Sequence, residues 1–235
     1  MRPEHSDDPP GLVLLHGFPS RAITADHIGK DLPELGERMA SEMQWAVLSI
    51  RFRGCGSSTG DFSLRGWAED ASVAITYLCD ELKTDRVWVA GFGTGGAIGL
   101  SAAAADRRVA GAAMAGSPAD FDDWASKPER LLSHAHEVGA IKTPTFPTDL
   151  PAWKNELKRY RAAAAAEQLS DRRLLVLHGS DDAVVPQLDA RIVADAHGAA
   201  DLRIIPGAGH QLRYDPRALA ILLGWLERTR HETQA

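Results

Sequence analysis

A chain of 235 residues, 44% hydrophobic and 25% charged, has a globular composition and can bury roughly 70–75% of its unfolded surface without metals or disulfides. Its 26 Lys and Arg against 32 Asp and Glu leave a formal charge of −6, which argues against a protein that tracks nucleic-acid phosphates. No stretch approaches the ~20 apolar residues of a transmembrane helix, and two cysteines, Cys55 and Cys79, point to a cytoplasmic protein rather than a disulfide scaffold.

Residues 1–10 (MRPEHSDDPP) are polar, lack the apolar core of a signal peptide, and read as a flexible tail. Short runs rich in Val, Ile and Leu follow at 11–15, 45–50, 87–90, 109–115, 174–177 and 202–205. Each has the length and two-sided apolarity of a strand in a buried parallel sheet. Helical patterns lie between and after them at 25–43, 64–82, 94–105, 186–196 and 216–230. Within 64–82, Trp67, Ala71, Ala74, Ile75 and Leu78 recur at i, i+4, i+7, i+8 and i+11, one stripe facing a core. Alternation of strand and helix predicts an α/β domain over 11–235, doubly wound around a mostly parallel six-stranded sheet.

Residues 117–171 break the rhythm, being far longer than a crossover requires. No polar linker brackets them, so they read as a lid- or cap-like insertion over the sheet. Its aromatics read first as a small core of their own, with Trp124, Phe146 and Trp153 as candidates for substrate contact.

Three motifs sit at predicted strand ends. His16-Gly17-Phe18-Pro19 follows the first strand and gives a tight turn with exposed amides, suited to stabilising an oxyanion. Gly91-Phe92-Gly93-Thr94-Gly95-Gly96 joins the third strand to a helix of small residues, its glycines permitting a sharp turn and close packing. Asp181-Asp182 follows the fifth strand and Gly209-His210 the sixth, an acid and an imidazole able to meet on adjacent loops.

In this order the motifs resemble the α/β-hydrolase family, in particular small bacterial esterases and serine-aminopeptidase-like hydrolases, over nearly the whole chain. The resemblance implies that the Phe18 and Thr94 amides form an oxyanion hole, that His210 is the base, and that Asp182 is its acid, with Asp181 as the alternative. The glycine-rich turn Arg53-Gly54-Cys55-Gly56-Ser57 also resembles one in that family.

One position departs from the pattern. Where the family's G-x-S-x-G elbow carries its nucleophilic serine, this chain has Gly93, so no acyl-enzyme can form there. Serine at such an elbow holds a sparsely populated backbone conformation costing roughly 1–3 kcal/mol, whereas glycine adopts it with little penalty. The expectation is a disabled or non-standard hydrolase that either binds a small acyl or carbonyl ligand or uses His210 as a general base on water, with no cofactor and no metal. It is expected as a monomer or small homo-oligomer with no nucleic-acid or membrane partner.

Other readings compete for the same residues. Thr94 and Cys55 are substitute nucleophiles, the first expected to point away from the histidine and the second lacking an evident thiolate-stabilising neighbour. Ser57, Ser58 and Ser117 read as turn residues. Gly91-x-Gly93-x-x-Gly96 satisfies the local dinucleotide-binding pattern but follows the third strand and lacks an acidic residue at the end of the next. His134 and His136, two apart, face different sides of a helix and do not converge on a metal. His16 and His178 read as structural, and Arg51 and Arg53 as strand-end arginines with packed stems.

Overall fold

The computed structural model describes residues 1–3, 9–84 and 86–232. Among them, six strands pair in parallel: β1 (Gly11–Leu15), β2 (Ala46–Ile50), β3 (Val87–Phe92), β4 (Val109–Ala115), β5 (Arg173–Gly179) and β6 (Asp201–Ile205). Their spatial order is β2-β1-β3-β4-β5-β6. Every pair is parallel, so the expected "mostly parallel" sheet is wholly so. Successive residues of a strand point to opposite faces. Val13 and Leu15 of β1 therefore enter one buried cluster, whereas Leu12 and Leu14 enter the other.

On the first face lie α2 (Leu64–Asp80), α3 (Thr94–Ala105) and α8 (Gln187–His197). On the second lie α1 (Leu32–Met43) and α9 (Pro216–Glu232). Most helices match their periodicity to within a turn. The pattern over 25–43 does not, because the helix starts only at Leu32. Gly29 has φ +71°, outside right-handed helix, and Pro33 has no N–H to return to the Gly29 carbonyl. Residues 25–31 instead form turns.

Between β4 and β5 the chain forms α4 (Asp122–Ser126), α5 (Pro128–Glu137), α6 (Leu150–Leu157) and α7 (Ala162–Leu169). The alanine run is α7, which buries Ala165 and Ala166 in the same cluster as α3. At the chain's start, the Met1 ammonium donates to the Val47 carbonyl at 3.0 Å and Val47 N–H returns to Met1 at 2.9 Å. Residues 4–8 of the expected tail lie outside the described residues. None of the described helices is long and apolar enough to cross a membrane.

Strand order sets the place of the site. The chain winds from β1 out to β2, then returns across β1 to β3, so the direction in which successive strands are added reverses between β1 and β3. Open parallel sheets leave a crevice at such a point, beyond the strands' carboxyl ends. The His16-Gly17 turn and the Gly93 turn leave β1 and β3 there. The far end of α3 is anchored by Arg172, whose guanidinium donates to the carbonyls of Ala103, Ala104, Asp106 and Val109 at 2.8–3.0 Å. A cation there also complements the helix dipole.

The crevice closes tightly because its glycines carry no Cβ. A methyl group on Gly95 would collide with the His16 carbonyl oxygen, whereas one on Gly209 would meet nothing within 4 Å. Gly95→Ala is therefore expected to lower stability by about 3 kcal/mol. Gly209→Ala should stay within about 0.5 kcal/mol of the parent. Urea unfolding of the two variants measures the contrast.

Candidate active site

β3 ends at Phe92 and α3 begins at Thr94, leaving Gly93 alone at the turn with φ +54° and ψ −130°. Few residues other than glycine adopt that conformation readily. The turn is fixed from both sides. Gly93 N–H donates to the Ala115 carbonyl of β4 at 2.9 Å, and Gly96 N–H donates to the Gly93 carbonyl at 3.0 Å. A Cβ on Gly91 would strike the Gly95 carbonyl, and one on Gly96 the Ser117 hydroxyl. Of the glycines that fitted a dinucleotide fingerprint, Gly91 and Gly96 are thus accounted for by contacts within the fold and Gly93 by its backbone conformation.

An ideal Cβ on Gly93 would stand 3.7 Å from His210 Nε2, 3.9 Å from His210 Cε1 and 3.5 Å from Gly17 Cα. Residue 93, the imidazole and the turn after β1 thus meet at one point. The Phe18 N–H follows Gly17 directly. The Thr94 N–H opens α3, where the helix supplies it no acceptor.

His210 Nδ1–H donates to Asp182 Oδ2 at 2.9 Å. The Asp182 side chain is fully buried, and its Oδ1 accepts from the Val184 and Val185 N–H groups at 2.8 and 2.9 Å. Burial alone raises a carboxyl pKa. Here the bonds from His210, Val185 and Val184 outweigh it, and Asp182 sits below the usual carboxylate range. With Nδ1 committed to the acid, the lone pair of the neutral ring is on Nε2, facing Gly93. Asp181, the alternative acid, accepts from the Ser180 hydroxyl at 2.6 Å on the exposed side of the loop.

Two supporting residues were not legible from the motifs. Gly116, at φ +59° after β4, leaves room for the pair: a Cβ there would be 3.1 Å from the His210 carbonyl and 3.6 Å from Asp182 Oδ2. His178, fully buried, donates from Nε2 to the Val185 carbonyl at 3.0 Å and lies 3.5 Å from Asp182 Oδ2, beneath the acid loop. Only the strand-end glycine and the His-Gly pair hinted at them.

Of the substitute nucleophiles, Cys55 fares poorly. Cys55 is fully buried, and burial pushes its thiol pKa up to about 12, far from thiolate formation. The Ser58 hydroxyl donates to the Arg51 carbonyl at 2.7 Å, and Ser117 is buried against the Ala115 carbonyl at 3.4 Å. Arg53 is engaged by Asp70 through two nitrogens, at 2.7 Å for Nη2 and 3.1 Å for Nε.

Of the aromatics in 117–171, Trp153 is buried and packs on Phe62 with 6.4 Å between ring centres. Trp124 and Phe146 remain half-buried at the edge of the same cluster. Trp124 meets the Phe18 ring at 5.2 Å, joining the insertion to the turn after β1. His134 faces Glu137 at 3.7 Å, whereas His136 bonds the Ile141 carbonyl at 3.1 Å, so the two do not converge.

A family model described as the alpha/beta hydrolase family matches residues 12–221. Est1E from Butyrivibrio proteoclasticus, solved with ferulic acid bound, is similar with a TM-score of 0.71 at 20% identity, over 99% of this chain and 92% of that one. The alpha/beta hydrolase GrgF from Penicillium sp. sh18 gives 0.70 at 19% identity, over 96% and 91%. At such identities the likeness is one of fold. An uncharacterized protein of Mycobacterium tuberculosis (strain ATCC 25618 / H37Rv) is 28% identical over 174 residues, 74% of this chain and 55% of its own length. The chain thus spans about half the length of the curated relatives it matches.

His16 holds the turn after β1. Its Nε2 accepts from Phe52 N–H at 3.1 Å and its Nδ1–H donates to the Gly17 carbonyl at 2.7 Å. Burial lowers its pKa from 6.5 to about 4. The unfolded chain therefore binds this proton at higher pH than the folded one. The contribution is fully present above about pH 6.5 and lost as pH falls toward 4, up to about 3 kcal/mol. In His16→Gln, urea midpoints should depend less on pH across that window; an unchanged slope would show that the ring is not buried neutral.

Proposed function

The chain belongs to the alpha/beta hydrolase family, and from that premise we propose that it carries an esterase- or peptidase-like site whose covalent serine step is absent at Gly93. The oriented Asp182–His210 pair and the paired amides of Phe18 and Thr94 remain. In this reading the amides hold the oxygen of a small acyl or carbonyl ligand, and residues 117–171 form a lid-like wall. The observation that carries it is the 3.7 Å between His210 Nε2 and the Cβ position of Gly93, which puts a side-chain oxygen there within hydrogen-bond reach of the base.

A second reading has its own support. The His210 side chain is 25% exposed, so solvent reaches the base, and His210 can activate water directly without an acyl-enzyme. It predicts slow ester hydrolysis by the parent that disappears in His210→Ala.

Gly93→Ser tests the main reading. A Cβ at residue 93 meets nothing closer than 3.5 Å, so the cost is backbone strain alone, about 1–3 kcal/mol in thermal or urea unfolding. The variant should become labelled by a fluorophosphonate and hydrolyse a short aryl ester about 10²-fold faster than the parent or more, part of the ~10⁶ a complete triad contributes. Covalent labelling of the parent, or a folded Gly93→Ser that stays unlabelled, would contradict the reading.

A further inference from the structure

With no side chain on residue 93, the imidazole of His210 and the turn after β1 stand on either side of the position a Cβ there would take. His210 Nε2 lies 3.7 Å and Gly17 Cα 3.5 Å from the same Cβ point, and the Phe18 and Thr94 amides are the next in the chain after Gly17 and Gly93. Asp182 accepts from Nδ1 at 2.9 Å, which keeps the Nε2 lone pair turned inward. A serine hydroxyl at residue 93 would hydrogen-bond that lone pair and attack the ligand's carbonyl carbon. Its absence frees the base for another atom of the same ligand. The atom next to a carbonyl carbon is the α-carbon, whose hydrogen becomes acidic when the carbonyl oxygen is held by oriented donors. The half-buried Phe18 ring, 5.2 Å from that of Trp124, puts apolar surface beside the Phe18 amide for the rest of such a ligand.

We propose that this site enolises small ketones and β-keto esters, His210 Nε2 removing a proton α to a carbonyl whose oxygen is bound by the Phe18 and Thr94 amides. The inference rests on the site reading above and names the ligand class and the chemistry. The C–H electron pair becomes the carbon–carbon double bond of the enolate. The carbonyl π pair moves onto oxygen, and the proton rests on Nε2, its charge balanced by Asp182. Return of a proton from Nε2 to the same carbon closes the cycle without oxidant, reductant or second substrate. In D₂O the proton on Nε2 exchanges with solvent, so each turnover replaces C–H by C–D.

The probe is phenylacetone in D₂O, followed by loss of its α-hydrogen signals in proton NMR. Wild-type protein should exchange them about 10²-fold faster than His210→Ala, which should fall to the buffer rate. Should His210→Ala fail to fold, His210→Gln takes its place. Asp182→Asn, which upsets the orientation of the ring, should slow exchange tenfold or more. Gly93→Ser should slow it about tenfold while gaining fluorophosphonate labelling, a pairing that simple loss of structure does not give. Wild-type exchange no faster than in the His210 variants would overturn the proposal. If Gly93→Ser then still labels, enolisation alone fails; if it folds and does not label, the site reading fails with it.

Discussion

The closeness with which α3 seats against the carboxyl ends of β1 and β4 governs everything at this edge of the sheet. Gly95 lies against the His16 carbonyl, Gly96 against the Ser117 hydroxyl, and Gly91 against the Gly95 carbonyl, each without room for a methyl group. Interiors pack like organic crystals, so such contacts do not relax by small amounts. Loosening any of them would move the start of α3, and with it the Thr94 amide, away from the turn after β1. The fully buried His16 secures that turn from the other side, bonded to Phe52 and Gly17. The turn after β1 and the turn before α3, far apart in sequence, are thereby held together, with 3.5 Å from Gly17 Cα to the Cβ position of residue 93.

The acid and base are built onto the same edge by equally close approach. β5 and β6 run side by side, and Gly179 ends β5 against the Ala208 carbonyl with no space for a Cβ. Asp182 and His210 then leave adjacent strands and meet at 2.9 Å, with Gly116 keeping the space beside them open. Burial would disfavour the charged acid, but three hydrogen bonds hold Asp182 ionised below the usual carboxylate range. Gly93 keeps the turn, at φ +54°, without the strain a larger residue would add.

Much of this was legible because the signals are local. Strand runs such as 87–90 and 109–115, the stripe from Trp67 to Leu78, and the punctuation by His16-Gly17, Gly93 and Gly209-His210 are each contained within about a dozen consecutive residues. The late start of α1 was not, because the pattern over 25–43 is apolar at helical spacing and only Gly29 and Pro33 interrupt it. The order of helices in 117–171 escaped because α4, α5 and α6 are short and buried through contacts with distant aromatics such as Phe18 and Phe62. Gly116 and His178 take their roles beside Asp182 from proximity across strands, which no spacing encodes. Gly91-x-Gly93-x-x-Gly96 shows the converse. One glycine pattern serves a pyrophosphate or a packed helix, and the difference lies in what each missing Cβ would have touched.

The central claim is that an imidazole oriented by Asp182 confronts residue 93. The most direct test is the ionisation of a thiol placed there, read as the pH dependence of alkylation of Gly93→Cys by iodoacetamide. A cysteine beside an oriented histidine shares its proton with the ring, so half-maximal alkylation is expected at least about 2 units below the ordinary ~8.5, returning to that value when His210→Ala is added. Alkylation that follows an ordinary thiol, unchanged by the loss of His210, would contradict it.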